Sequence, residues 1–248
     1  MSLAKFSSML HGSERVVFLG GAGVSTESGI PDFRSQVGLF KTRDEQACSL
    51  ERLLSHSFFI RYPDEFYKFY KSKMIHLKAK PNRAHLALAK LEEQGKVKAI
   101  ITQNIDGLHQ AAGSKNVLEL HGSIHRNYCM DCREEYTIEA VINSEVLVPL
   151  CSNCNGIIRP DVTLYEEPLN SEAMQRASEH IRDADMLIIG GTSLLVNPAA
   201  SLVSLYNGDR LVIINQSPTP YDDKANIVIN DSLGRILESA VSKASVVS

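Results

Sequence analysis

No apolar run in this chain approaches the ~20 residues that a membrane-spanning helix needs, which argues against a transmembrane protein. An excess of basic charge is also missing. The formal net charge is −3 over 248 residues, so there is no electrostatic case for nucleic acid as a partner. The first residues lack a charged stretch followed by an apolar core and a cleavage site, so export is not expected and the cytosol is the expected compartment. Internal repeats and low-complexity tracts are lacking. What remains is a chain with ordinary apolar and charged content, long enough for one full core and a small second module.

Structural disulfides are rare in the cytosol, and this decides how the cysteines are read. Cys129-x-x-Cys132 and Cys151-x-x-Cys154 form two knuckles eighteen residues apart. Each pair can place two thiolates on one metal, and the spacing is that of a zinc ribbon. Two redox pairs or disulfides are the alternative. A four-thiolate site has no open position, so a zinc held there is structural. Cys48 stands alone and reads as a small buried apolar residue.

The apolar run at 16–19 reads as a buried strand. It feeds Gly20-Gly21-Ala22-Gly23. A strand, a glycine-rich turn and then a helix make the usual pocket for a dinucleotide pyrophosphate, with backbone N–H groups presented to negative charge. Thr26 stands where the third glycine of that fingerprint belongs, and Gly29-Ile30-Pro31-Asp32-Phe33-Arg34 follows, which a simple nucleotide turn does not need.

Further strands are expected at 98–102, 117–120, 186–189, 211–215 and 227–229. Several are continuous apolar runs, as in a parallel sheet covered on both faces. Helical patterns lie at 84–94 (opened by Pro81-Asn82 and closed by Gly95), 172–182 and 233–241. This alternation predicts an α/β, doubly wound, Rossmann-like sheet built from 1–35, 81–121 and 167–248. Two stretches break the rhythm. Residues 36–80 carry many aromatics and no strand, and read as a helical insertion. Residues 122–166 hold the cysteine knuckles. Together they predict a small domain with a cleft where it meets the sheet.

Polar residues gather after the strands: Gln103-Asn104-Ile105-Asp106, His121-Gly122, Gly191-Thr192-Ser193 and Asn215-Gln216-Ser217. In a parallel sheet these turns share one rim. Any one Asn, Ser or Thr is ordinary as a helix cap or turn residue; the set suggests a continuous site. His121 reads either as a hydrogen-bonded, partly buried histidine or as a general base, since its pKa lies near neutrality.

On these motifs the chain resembles the sirtuins, NAD-dependent protein lysine deacylases. The matching segments are Gly-Ala-Gly-x-Ser-x-x-Ser-Gly-Ile-Pro-Asp-Phe-Arg at 21–34, Gln-Asn-Ile-Asp at 103–106, His-Gly at 121–122, the cysteine pairs, and Gly-Thr-Ser-Leu-x-Val at 191–196. They span about residues 14–235. The resemblance implies NAD as co-substrate, one structural zinc per chain, and acyl-lysine proteins as substrates of a monomeric enzyme. Ala22, Gly23, Thr26, Thr192, Ser193 and Asn215 would cradle the phosphates and adenosine, with Gly21, Ser25, Asp32, Gly191, Gln216 and Ser232 also on the cofactor. Phe33 and Arg34 would close over the nicotinamide side. Gln103 and Asn104 would fix the nicotinamide ribose, and Ile105 with Asp106 the carboxamide. The acyl oxygen would attack the ribose carbon as nicotinamide leaves, with Asn104 and His121 as catalytic residues. His121 would take a proton from a ribose hydroxyl. Free lysine and O-acyl-ADP-ribose would result. Val162, Thr163 and Tyr165 would bind the peptide.

The sequence departs from the family at three places. Gly20 replaces a common threonine, which is expected to matter little. Tyr165-Glu166-Glu167 replaces Phe-Gly-Glu in the peptide-binding strand, and Glu166 is expected to bias the site toward basic peptides or alter access. Tyr70 and Lys73 stand at the spacing of the Tyr-x-x-Arg pair of sirtuins that remove succinyl or malonyl groups, but lysine lacks arginine's bidentate fork, and a core Tyr70 with a solvated Lys73 is the alternative. Acetyl is the expected acyl group, with a desuccinylase or demalonylase preference as the alternative. ADP-ribosyl transfer or NAD hydrolysis on the same scaffold is a second alternative, and a non-catalytic zinc-ribbon binding module a remote third.

Overall fold

The computed structural model describes residues 2–32 and 49–244. Phe33, Arg34 and Cys48 lie outside the described residues. Among the described residues, nine strands form two sheets: β1 (Val16–Gly20), β2 (Val97–Thr102), β3 (Val117–Glu119), β4 (Gly122–Cys129), β5 (Glu135–Thr137), β6 (Ile158–Val162), β7 (Met186–Gly190), β8 (Leu211–Ile214) and β9 (Ile227–Ile229). The larger sheet has the order β3-β2-β1-β7-β8-β9, and every pairing in it is parallel. The chain builds outward from β1 in one direction and from β7 in the other. The switch point, where such sheets bind ligands, falls between β1 and β7.

The continuous apolar runs follow from two-sided burial. Along β1, Val16 and Phe18 face one core and Val17 and Leu19 the other. The first core is closed by helices Ser2–His11, Arg83–Glu93 and Leu233–Ala244; the second is closed by Ser171–Asp183 and the 3₁₀ segment Ala199–Leu205. Helices 84–94, 172–182 and 233–241 thus agree with the sequence within a few residues. Helix Ser2–His11 was not expected; it buries Phe6 and Leu10.

A third core lies beside the sheet. It joins helices Leu50–Leu53, His56–Arg61 and Pro63–Lys73 to the antiparallel sheet β5-β4-β6. Phe59, Phe66, Tyr67 and Tyr70 fill it in edge-on and stacked contacts. The Tyr67 hydroxyl donates to the Ile158 carbonyl, tying the helices to β6. Ser55 and Tyr165 form a parallel bridge between the same two parts.

One pair of buried histidines sits inside the first core. The rings of His85 and His109 are 4.7 Å apart, and both residues are buried. The Asn82 N–H donates to His85 Nδ1 at 3.3 Å, so the His85 proton sits on Nε2. Among the described residues, that nitrogen and both His109 nitrogens have no partner. Burial lowers the pKa of His85 to about 4, against attraction from Asp106 and Glu27. Burial and the neighbouring His85 lower that of His109 to about 3. Below pH 6.5 the unfolded chain binds protons that the fold refuses, so stability falls as pH drops from about 6.5 toward these values. Each histidine contributes a slope of up to about 1.4 kcal/mol per pH unit. Chemical denaturation at pH 7, 6 and 5 is expected to show this loss, and His109→Phe to flatten it. Equal slopes in both proteins would show that the acid sensitivity arises elsewhere.

Candidate active site

β1 and β7 end side by side, with Gly20 paired to Gly190. The turns beyond them then pack backbone to backbone. Gly23 N–H donates to the Gly191 carbonyl at 2.8 Å, and a Cβ on Gly23 would lie 2.7 Å from Gly191 Cα. Only glycine permits this approach. The expected helix after the glycine turn is replaced by two short 3₁₀ turns, Ala22–Val24 and Thr26–Ser28, hinged at Ser25. They curl the loop back so that it offers side chains as well as N–H groups. Thr26 Oγ1 closes the curl by donating to the Gly23 carbonyl at 2.9 Å.

This curl brings Ser25 to the end of β2. Ser25 Oγ donates to Asp106 Oδ2 at 2.6 Å and accepts from Asn104 Nδ2 at 3.0 Å. Asp106 Oδ1 accepts from Leu108 N–H at 2.9 Å, and the Asp106 carbonyl accepts from His125 Nε2 at 3.1 Å. Gln103 Nε2 donates to Thr192 Oγ1 at 3.2 Å, linking the ends of β2 and β7. Ile105 packs against the third core, and its carbonyl accepts from Ile124 N–H.

His121 leaves β3 at the same rim. Its Nδ1 lies 2.9 Å from the Gln103 carbonyl. A carbonyl only accepts, so Nδ1 carries the proton and Nε2 keeps its lone pair. Burial lowers the His121 pKa, and the bond to Gln103 opposes this in part. The ring is therefore a neutral base at pH 7. The His121 carbonyl accepts from Thr163 N–H at 3.0 Å, which sets residues 162–165 beside it. Val162 is buried, whereas Tyr165 is 38% exposed.

The outer rim is less closely joined. Asn215 Nδ2 donates to the Ser217 carbonyl; Ser193 is half-buried and Gln216 exposed. Ser232 reaches the glycine loop through Glu27, whose Oε1 accepts from Ser232 Oγ at 2.9 Å and Gly234 N–H at 3.0 Å. Asp32 ends the first described stretch. Sequence reasoning passed over Glu27, Asn82, His109 and His125. Asn82 did carry a signal, as a helix opener.

Tyr70 and Lys73 do not share an environment. Tyr70 is buried among aromatics, and its hydroxyl, without a partner among the described residues, is pushed up in pKa by burial. Lys73 is exposed.

Glu166 departs from expectation. It adopts φ +77°, where glycine sits without strain. Its carboxylate turns to helix His56–Arg61 and accepts from Ser57 N–H and Ser57 Oγ, both at 2.9 Å. Its neighbour Glu167 accepts from Arg159 at 2.6 Å, Leu164 N–H at 2.9 Å and His56 at 2.7 Å. Burial pushes the Glu167 carboxyl up, but these bonds outweigh it and hold the pKa below the ordinary range. The Glu166 charge is thus spent on a helix end, which offsets its backbone strain of ~1–2 kcal/mol. In Glu166→Gly, turnover of basic relative to acidic peptides is expected to change by less than about threefold. A larger shift would restore the charge to the peptide site.

The four cysteine sulfurs lie within 4.8 Å of one another. Cys129 and Cys154 are 3.4 Å apart and Cys132 and Cys151 3.6 Å. Sulfurs ~2.3 Å from a tetrahedral zinc stand about 3.8 Å apart, so the set fits one zinc and no disulfide. The two knuckles repeat one turn. Arg133 (φ 65°) and Asn155 (φ 61°) follow the second cysteine of each pair, and their N–H groups donate to the Cys129 and Cys151 carbonyls. Tyr136 Oη donates to Cys151 Sγ at 3.1 Å, as expected of a thiolate.

A doubly wound sheet with a glycine curl at its switch point, and a four-thiolate ribbon inserted beside it, defines a nucleotide-binding protein with a structural metal module. The profile of the Sir2 family matches residues 21–198, and the chain belongs to that family, the sirtuins. It is 58% identical to an NAD-dependent protein deacetylase of Clostridium tetani over 233 residues, 94% of each chain. It is 44% identical to one of Thermotoga maritima over 235 residues, 93% of each chain. A solved structure of Sir2 with a p53 peptide and NAD+ matches with a TM-score of 0.88 at 40% identity, covering 99% of this chain and 100% of that one. One of Sir2Tm bound to a propionylated peptide matches at 0.87 and 40% identity, with the same coverage.

Proposed function

We propose that this protein removes acyl groups, acetyl first, from protein lysine side chains, consuming NAD and giving nicotinamide and O-acyl-ADP-ribose. The observation that carries the reading is the neutral His121, with Nδ1 tied to the Gln103 carbonyl and Nε2 left basic beside the Ser25–Asn104–Asp106 network. The curl at 21–26 would take the phosphates, with Gly191, Thr192, Ser193, Asn215, Gln216 and Ser232 along the adenosine side and Asp32 beyond Ile30-Pro31. Asn104 and Gln103 would hold the ribose, and Ile105 with Asp106 the carboxamide. When bound, NAD would supply an electrophilic ribose carbon for the acyl oxygen, with nicotinamide as leaving group, and the ribose hydroxyl that ends up carrying the acyl group. His121 Nε2 would take the proton of a ribose hydroxyl. Residues 162–165 would place the acyl-lysine strand against His121. The separation of buried Tyr70 from exposed Lys73 supports acetyl over acidic acyl groups. The zinc-ribbon thiolates would hold one zinc for structure.

The small domain is read as residues 36–80 and 122–166, of which 36–48 lie outside the described residues; a third core drawn from 50–70 and 124–164 supports the reading. No helix among the described residues is long and apolar enough to cross a membrane. A monomeric cytosolic enzyme completes the reading. Mass spectrometry of products from NAD and a panel of acyl-lysine peptides tests it. Peptide-dependent nicotinamide release with O-acyl-ADP-ribose supports deacylation. Nicotinamide release without peptide would favour NAD hydrolysis or ADP-ribosyl transfer.

A further inference from the structure

The glycine loop is held from behind by a side chain outside the predicted ligand set. Asn82 is the N-cap of helix Arg83–Glu93, and its Oδ1 accepts from Ala84 N–H at 2.9 Å. The opposite atom of the same amide, Nδ2, donates to the Val24 carbonyl at 2.8 Å and to Ser28 Oγ at 3.0 Å. The Val24 carbonyl and the Ser25 N–H belong to one planar peptide unit. Fixing that oxygen therefore fixes the plane from which the Ser25 side chain departs. The N–H of the same unit donates to the Ala22 carbonyl at 3.1 Å, pinning it from the other side. Ser25 Oγ then meets Asn104 and Asp106. Asn82 itself is seated by its N–H bond to the buried His85.

We propose that Asn82 is a positioning residue for the reaction centre, orienting Ser25 and, through it, Asn104 and Asp106. This rests on the reading of those three residues as NAD-handling groups. The position needs an amide, with an acceptor for the helix end and a donor for the loop. Aspartate and serine can both cap the helix. Aspartate would set an acceptor against the Val24 carbonyl, and serine is too short to span cap and loop together.

The test compares the full chain with Asn82→Asp, Asn82→Ser and Asn82→Ala. NAD affinity is read by calorimetry, stability by thermal unfolding, and kinetics with an acetyl-lysine peptide. Asn82→Asp and Asn82→Ser are expected to keep a near-wild-type Tm while weakening NAD binding and lowering kcat, each by about tenfold. KM for the peptide stays unchanged, since residues 162–165 are not held by this loop. Asn82→Ala loses Tm as well. Wild-type NAD affinity in Asn82→Asp and Asn82→Ser, with kcat falling only as the folded fraction falls, would reduce Asn82 to a helix cap and overturn the proposal. A wild-type protein that binds NAD yet leaves the acyl peptide intact would refute the deacylase reading alone, because NAD affinity still tests the clamp.

Discussion

His121→Ala is expected to lower peptide-dependent turnover by about 10²–10⁴-fold, the range for loss of a positioned general base. NAD affinity should change little, because Nδ1 is committed to Gln103 and the loss falls on the basic nitrogen Nε2. Initial rates at saturating NAD and acetyl-peptide give the first quantity and calorimetry the second. The wild-type pH profile carries the same signature. The fold lowers the His121 pKa, so the base stays unprotonated somewhat below the pH 6.5 of free histidine. Turnover should hold on acidification to about that point and then fall as the ring protonates. His121→Ala should lose this acid limb. A variant that kept wild-type turnover would remove His121 from the chemistry.

Metal removal is the second large effect. Structural zinc contributes ~10–16 kcal/mol to the folding of small zinc modules, as large as a typical whole domain's stability of ~5–15 kcal/mol. A strong chelator, or Cys151→Ser, is expected to unfold β4–β6 and the helices packed on them. The third core includes Cys129 and Cys151 themselves, so loss of the metal is expected to loosen it. Activity should vanish with the zinc, while the larger sheet, with its two separate cores, keeps helical circular dichroism and slowly exchanging amides. Full activity in a metal-free protein, verified by elemental analysis, would refute the assignment.

The large sheet was legible in the sequence because both of its faces are buried. That burial writes uninterrupted apolar strands such as Met186-Leu187-Ile188-Ile189, and the cysteine spacing named the metal. The rim was legible because a parallel sheet sends every strand end to one edge, which brought Gln103, His121 and Thr192 together from distant positions. Other features left weaker traces. Strands β4–β6 are half-exposed and interrupted by the knuckles, so no clear period marks them. The 3₁₀ curl depends on backbone contact between Gly23 and Gly191, which are far apart in the chain. The His85–His109 pair and the double use of Asn82 are tertiary: each residue is unremarkable in its own helix. Glu166 reads in the sequence as a charge beside the peptide strand; that its carboxylate meets Ser57 is a tertiary contact with no local trace.

The path from one sheet to the other has a mechanical consequence. β3 ends at Glu119 and β4 begins at Gly122, so Leu120 and His121 are the whole connection. The proposed base is therefore itself a rivet joining two bodies, with no slack on either side. Any rocking of the ribbon would be transmitted to the backbone that carries the imidazole. Substitutions far out on the zinc module should thus register in the rate of proton removal before they register in affinity for either substrate.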